Sequence, residues 1–78
     1  MKVESLDCRN LLCPLPVIRV QNLVQGLPAG ALVEALCSDP GALEDVPAWC
    51  RINGHQIWET RRETNDYFIR FRVTKTGA

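Results

Sequence analysis

The stretch PLPVIRVQNLVQGLPAGALVEALCS, residues 14–38, changes its hydrophobic period once, and that change decides the fold. From Pro14 to Gly26 the apolar positions Val17, Val20 and Val24, with Ile18 and Leu23 beside them, recur at helical spacing, and Gly26 is placed to end the helix. Pro28-Ala29-Gly30 supplies a turn. From Leu32 to Ser38 the period becomes two, with Val33, Ala35 and Cys37 on one face and Leu32, Glu34 and Leu36 on the other. An edge or first strand precedes this helix. Val3 and Leu6 provide it, in a short strand that ends at the turn-prone Asp7-Cys8-Arg9-Asn10, where Asn10 tolerates a left-handed backbone.

Asp39-Pro40-Gly41 then stops the strand, and Leu43, Val46 and Cys50 recur at helical spacing. Pro47 interrupts that pattern. Because proline in a helix interior costs about 3 kcal/mol, the expectation is a short turn at Ala42 to Glu44, Asp45 as a local cap, and a helix from Val46 to about Asn53, stopped by Gly54. Ile57 to Glu63 and Tyr67 to Val73, joined by Thr64-Asn65-Asp66, read as a hairpin whose last strand turns Tyr67, Ile69, Phe71 and Val73 to one face and Phe68, Arg70 and Arg72 to the other. The order βαβαββ with right-handed crossovers puts both helices on one face of a four-stranded mixed sheet, a two-layer α/β sandwich. The expected core is Val17, Val20, Val24, Val33, Ala35, Leu43, Val46, Cys50, Ile69 and Phe71.

Seventy-eight residues make one domain, spanning 1–78 with about 75–78 frayed. Hydrophobic residues are 46% of the chain and charged residues 23%, a globular balance, and no apolar run approaches the about 18 residues needed to cross a bilayer. The start, Met1 to Asp7, lacks the apolar core of a signal peptide, so the chain is expected in the cytoplasm, with no membrane partner. Nine basic and nine acidic side chains give zero net charge, which argues against a dedicated nucleic-acid module and against direct DNA binding. The charge is unevenly distributed: residues 61–78 hold Arg61, Arg62, Arg70, Arg72 and Lys75 against Glu63 and Asp66, a basic end of about +3. Such arginines are by default a solvated hairpin face. Their functional use would be docking on an acidic partner, with Arg70 and Arg72 as the candidates.

Chemistry concentrates at Cys13-Pro14-Leu15-Pro16. A residue before proline is biased to the extended backbone of an N-cap, and Pro14 suits the first helical position, so the Cys13 sulfur is expected at a helix N-terminus. There the unpaired N–H groups and the helix dipole favour thiolate over thiol. Pro14 and Pro16 remove two of those donors and leave mainly the N–H groups of Leu15 and Val17, so the activation is moderate; they also stiffen the turn and hold the sulfur outward. Cys37 and Cys50 fall on apolar faces and read as core thiols. Cys8 reads as a loop residue leading to Cys13 and is a candidate resolving thiol. Converging thiolates for a metal are not expected, because Cys37 and Cys50 look inward. His55 reads as a strand-start residue with a satisfied ring, and Asp7 and Asp39 as caps.

Leu6-Asp7-Cys8-Arg9-Asn10-Leu11-Leu12-Cys13-Pro14-Leu15-Pro16 resembles the signature of the TusA (SirA-like) sulfurtransferase family. The similarity continues through Asp39-Pro40, Asp45-Val46-Pro47-Ala48-Trp49-Cys50 and Gly54-His55, in order along nearly the whole chain. It departs at Asn10, where the family commonly has glycine. The resemblance implies a sulfur carrier in which Cys13 holds a persulfide, received from a cysteine desulfurase or other sulfane-sulfur donor and passed to a downstream acceptor protein. Destinations in the family include tRNA 2-thiolation, molybdenum-cofactor sulfuration and other sulfur trafficking. No cofactor and no metal is required, and a monomer is expected. The contrasting expectation is a non-catalytic interaction or regulatory module that works through its basic C-terminal hairpin.

Overall fold

The computed structural model describes residues 3–12 and 14–74. The elements are β1 (Val3–Cys8), α1 (Leu15–Gln25), β2 (Leu32–Cys37), α2 (Ala42–Ile52), β3 (Gln56–Glu63) and β4 (Asp66–Arg72). The sheet order is β1-β2-β4-β3, with β1 parallel to β2 and the other pairs antiparallel. Both helices pack on one face of this four-stranded mixed sheet, as the βαβαββ order requires. Strand β2 lies between β1 and β4, which is why its sequence is nearly continuously apolar.

The core joins Val20 and Val24 of α1, Val46 and Cys50 of α2, and the inward residues Cys8, Val33, Ala35, Cys37, Ile69, Phe71 and Val73. The α1 stripe runs Pro16, Val20, Val24, one every four residues, and leaves Val17 half-buried on its flank. Leu43 is likewise half-buried and packs against the core edge, where the spacing of α2 led us to expect full burial; Ala42 and Pro47 take the inward places with Val46 and Cys50.

Helix α2 is the principal correction to the sequence reading. It runs unbroken from Ala42 to Ile52 through Pro47, and Asp45 is not its cap: the Asp45 N–H donates to the Gly41 carbonyl at 2.9 Å, already within the first turn. Pro47 withdraws one donor from the Leu43 carbonyl, but it is buried, which offsets part of that loss. The true initiator lies earlier, where the Gly41 N–H donates to Asp39 Oδ1 at 3.1 Å and the Ala42 N–H to the Asp39 carbonyl at 3.0 Å. Asp39 thus caps the turn that leads into the helix, whose N-cap residue is Gly41.

The stop at Gly54 has a conformational basis. Its φ of +79° turns the chain left-handed, and the His55 N–H reaches back to the Cys50 carbonyl at 2.8 Å. This closure sets the His55 ring beside Trp49 and Phe71, with centroids 5.1 and 6.0 Å away, while Nδ1 accepts from the Thr74 N–H at 3.1 Å. The ring of His55 is therefore a packed and hydrogen-bonded one. The hairpin turn is Thr64-Asn65, one residue shorter than expected, with Thr64 at φ +54° and Asp66 already paired to Glu63. An irregularity between Ile57 and Glu59 lets β3 present Trp58 to solvent.

Candidate functional site

The approach to Cys13 is built by the end of β1 and the turn that follows it. Asp7 accepts the Arg9 backbone N–H at 3.0 Å and pairs with the Arg9 guanidinium at 2.9 Å; these hydrogen bonds lower its carboxyl to a pKa of about 2. Asn10 adopts φ +66°, the left-handed conformation expected where the family commonly has glycine, and its N–H donates to Ser38 Oγ at 2.7 Å. That bond fastens the loop to the end of the central strand β2. Cys13 itself lies outside the described residues, and so does the proposed fraying of 75–78.

Helix α1 begins one position later than expected, at Leu15. Pro14 is its N-cap, with φ −98° and ψ 17°, outside helical geometry, and Pro16 falls in the first turn and is buried. The Leu15 N–H, one of the two donors expected near the sulfur, is taken by the Leu12 carbonyl at 2.8 Å. The prolines therefore act chiefly by shape: Pro16 seats the helix start in the core and Pro14 turns the chain into it. Around position 13 the side chains of Leu12, Leu15 and Ile18 are exposed, Leu12 at 73% of its surface. Three exposed aliphatic side chains in one short stretch form an apolar collar, the kind of patch that marks a contact surface. Sequence reasoning missed it, although Leu11-Leu12 beside a turn was a signal: only Leu11 packs inward.

The other thiols separate sharply. Cys50 is fully buried, and burial pushes its pKa up to about 12, so it is a packed neutral thiol as expected. Cys37 is also fully buried in the core. Cys8 was read as a loop residue, and the structure corrects that: it is the last residue of β1, fully buried, and it stands opposite Cys37 in the β1–β2 register. The turn signal belonged to Arg9 and Asn10. The strand continues one residue further because pairing with β2 extends it.

The basic hairpin is largely neutralised internally. Arg70 is held by Glu34 at 2.6 Å and Glu59 at 3.4 Å and lies over Trp58, and Arg61 is near Glu59 and Glu63 and over Phe68. Arg62 covers the Tyr67 ring. Arg72 is exposed, and no ion pair or ring contact engages it among the described residues. Of the two docking candidates, Arg70 is thus a structural cation on the open sheet face and Arg72 the available one. Among the described residues no helix is long and apolar enough to cross a membrane.

Comparison with known proteins bears on this geometry. A family model described as Sulfurtransferase TusA matches residues 4–75. The sulfur carrier protein TusA of Pseudomonas paraeruginosa is 34% identical over 67 residues, covering 86% of this chain and 85% of that protein. The putative sulfur carrier protein YrkI of Bacillus subtilis is 34% identical over 72 residues, covering 92% and 93%. The crystal structure of a SirA-like protein from Desulfitobacterium hafniense superposes with a TM-score of 0.81 at 20% identity, covering 95% of this chain and all of that one, and shares its fold.

Proposed function

Because the chain belongs to the TusA sulfurtransferase family, we propose that it is a sulfur carrier that works through a persulfide on Cys13. The observation that carries this reading is the Cys-Pro-x-Pro motif in the sequence, whose Pro14, Leu15 and Pro16 form the start of α1, with Leu12, Leu15 and Ile18 exposed. Sulfur passed between two proteins requires the carrying atom to enter a partner's site, and an apolar collar around that position supports such contact. The Cys13 thiolate attacks the terminal sulfur of a donor persulfide, the donor S–S bond breaks, and the donor leaves as a thiolate. In the second half an acceptor nucleophile attacks the same terminal sulfur and Cys13 leaves as thiolate. The cycle is redox-neutral and needs no organic cofactor or metal.

The donor is a cysteine desulfurase or another sulfane-sulfur protein. The acceptor is a downstream relay protein serving tRNA 2-thiolation, molybdenum-cofactor or other sulfur trafficking in the cytoplasm. Pro14 and Pro16 are positioning residues, and Arg72 supplements the apolar collar as a docking cation. A module working through its basic hairpin is the weaker reading, since Arg61 and Arg70 are already paired within the sheet face. Incubation with a cysteine desulfurase and cysteine should add the mass of one sulfur atom to the intact chain, reversible by reductant and located on the Cys13 peptide. Cys13→Ser should fold and gain none. Full loading of Cys13→Ser, or loading placed on Cys50, would overturn the assignment.

A further inference from the structure

Two thiols stand outside that cycle and sit side by side. Cys8 closes β1, Cys37 closes β2, and the two are register partners in a parallel pair. Neighbouring strands lie about 4.8 Å apart, and residues in register point to the same face. That places the two Cα atoms within the roughly 4.4–6.8 Å range over which disulfides form. Both side chains are fully buried, and each perturbs the other's titration.

Both are as fully buried as Cys50, but they lie at the ends of the edge strand β1 and its neighbour β2, beside residues that line an open cleft. β1 is an edge strand and Cys8 is its last residue; beyond it the chain is fastened to the β2 end by the Asn10–Ser38 bond and turns back through a long Leu11–Cys8 bond of 3.4 Å. An open polar cleft is lined by Asp7, Arg9, Asn10, Arg19 and Ser38, which include the chain neighbours of both thiols. The two sulfurs are also unequal. The Cys37 thiol beside it holds Cys8 below its ordinary pKa, with the Arg19 charge assisting, whereas the same pairing and burial hold Cys37 above its own. One partner is therefore the better nucleophile and the other retains its proton.

The geometry points to Cys8 and Cys37 as a redox dithiol, which a small hydroperoxide converts to an intramolecular disulfide joining β1 to β2. The Cys8 thiolate attacks one peroxide oxygen, the O–O bond breaks and hydroxide leaves, giving a sulfenic acid on Cys8. The Cys37 sulfur then attacks the Cys8 sulfur, the S–O bond breaks, and the departing hydroxide takes the Cys37 proton as water. Two thiols lose two electrons and the peroxide is reduced to water. The bridge would clamp the turn that leads to Cys13 onto the central strand. This dithiol is independent of the persulfide cycle and is tested without it.

The Cys13→Ser protein, treated with hydrogen peroxide and then alkylated after unfolding, should lose the mass of two hydrogen atoms and leave Cys50 as its alkylatable thiol. Peptide mapping without reductant should recover Cys8 joined to Cys37, released by reductant. In Cys37→Ala the same treatment should stop at the Cys8 sulfenic acid, trapped by dimedone. Should that variant not fold, the mapped Cys8–Cys37 peptide alone decides. Cys8 and Cys37 both still alkylatable after peroxide, or linkage of Cys8 to Cys13 in the unsubstituted chain, would overturn the proposal.

Discussion

The two helices have the same length and both carry proline, yet they serve opposite ends. In α2, Pro47 sits inside the helix with its ring buried, and Cys50 is closed in the core beside it. In α1, Pro14 and Pro16 stand at the start, and the side chains around position 13 face water. The difference teaches that proline near a helix start directs the chain, whereas proline one turn further in is tolerated when its burial compensates for one lost hydrogen bond. It also shows how Cys50 comes to serve packing, closed in beside a buried proline.

The largest expected contrast is in thiol reactivity. A pKa of about 12 leaves Cys50 almost entirely protonated at pH 8, so alkylation of the native protein should modify Cys13 at least ~10³-fold faster than Cys50, read by peptide mass against time. The sign with pH follows from the raised value. Folding favours the protonated Cys50 thiol, so its contribution is constant below the ordinary 9.0 and stability is lost as pH rises from there toward about 12. Alkaline denaturation in urea should show that decline, and comparable rates for the two thiols at pH 8 would break the contrast between the helices.

Next comes packing. Val46→Ala in the buried face of α2 should cost about 2 kcal/mol in urea unfolding. Leu12→Ala, at an exposed site, should leave stability within about 0.5 kcal/mol while slowing sulfur transfer from a protein donor. Equal destabilisation by both would mean that the collar is core rather than contact surface. Leu43→Ala should fall between them, at about 1 to 2 kcal/mol, because its side chain is only half-buried. A small effect is also expected at Asn10→Gly. Glycine adopts the same positive φ without strain but has more freedom in the unfolded chain, so stability should change by less than about 1 kcal/mol, whereas Asn10→Val should be clearly destabilising. A neutral Asn10→Val would show that the left-handed turn is not what holds the loop.

Much of this molecule was legible before its structure. The period change between residues 14 and 38, the alternation in β4 and the glycine stop after α2 are local signals, and each marks an element that exists. Cys13-Pro14-Leu15-Pro16 is the stretch on which the proposed site rests, because the residues proposed to set its chemistry are contiguous. The misreadings share one cause. Pro47 was judged by helix propensity alone, without the burial that offsets it; Cys8 was judged by the turn beside it, without the strand that pairs with it; Arg70 was judged by its charge, without Glu34 and Glu59.

The sequence by itself determined the order of elements, the buried faces of β2 and β4, the left-handed residue at position 10 and the family to which the Cys-Pro-x-Pro loop belongs. All of these depend on neighbours a few residues apart or on a linear motif. Tertiary structure alone decided that Cys8 meets Cys37, that Arg70 is already paired while Arg72 is available, and that Leu12, Leu15 and Ile18 stand out together around position 13. Strand register joins residues 29 positions apart in β1 and β2, and sheet order brings Glu34 to Arg70 across 36. Local propensity carries no information about such pairings, since they are set by which faces bury the most apolar surface together.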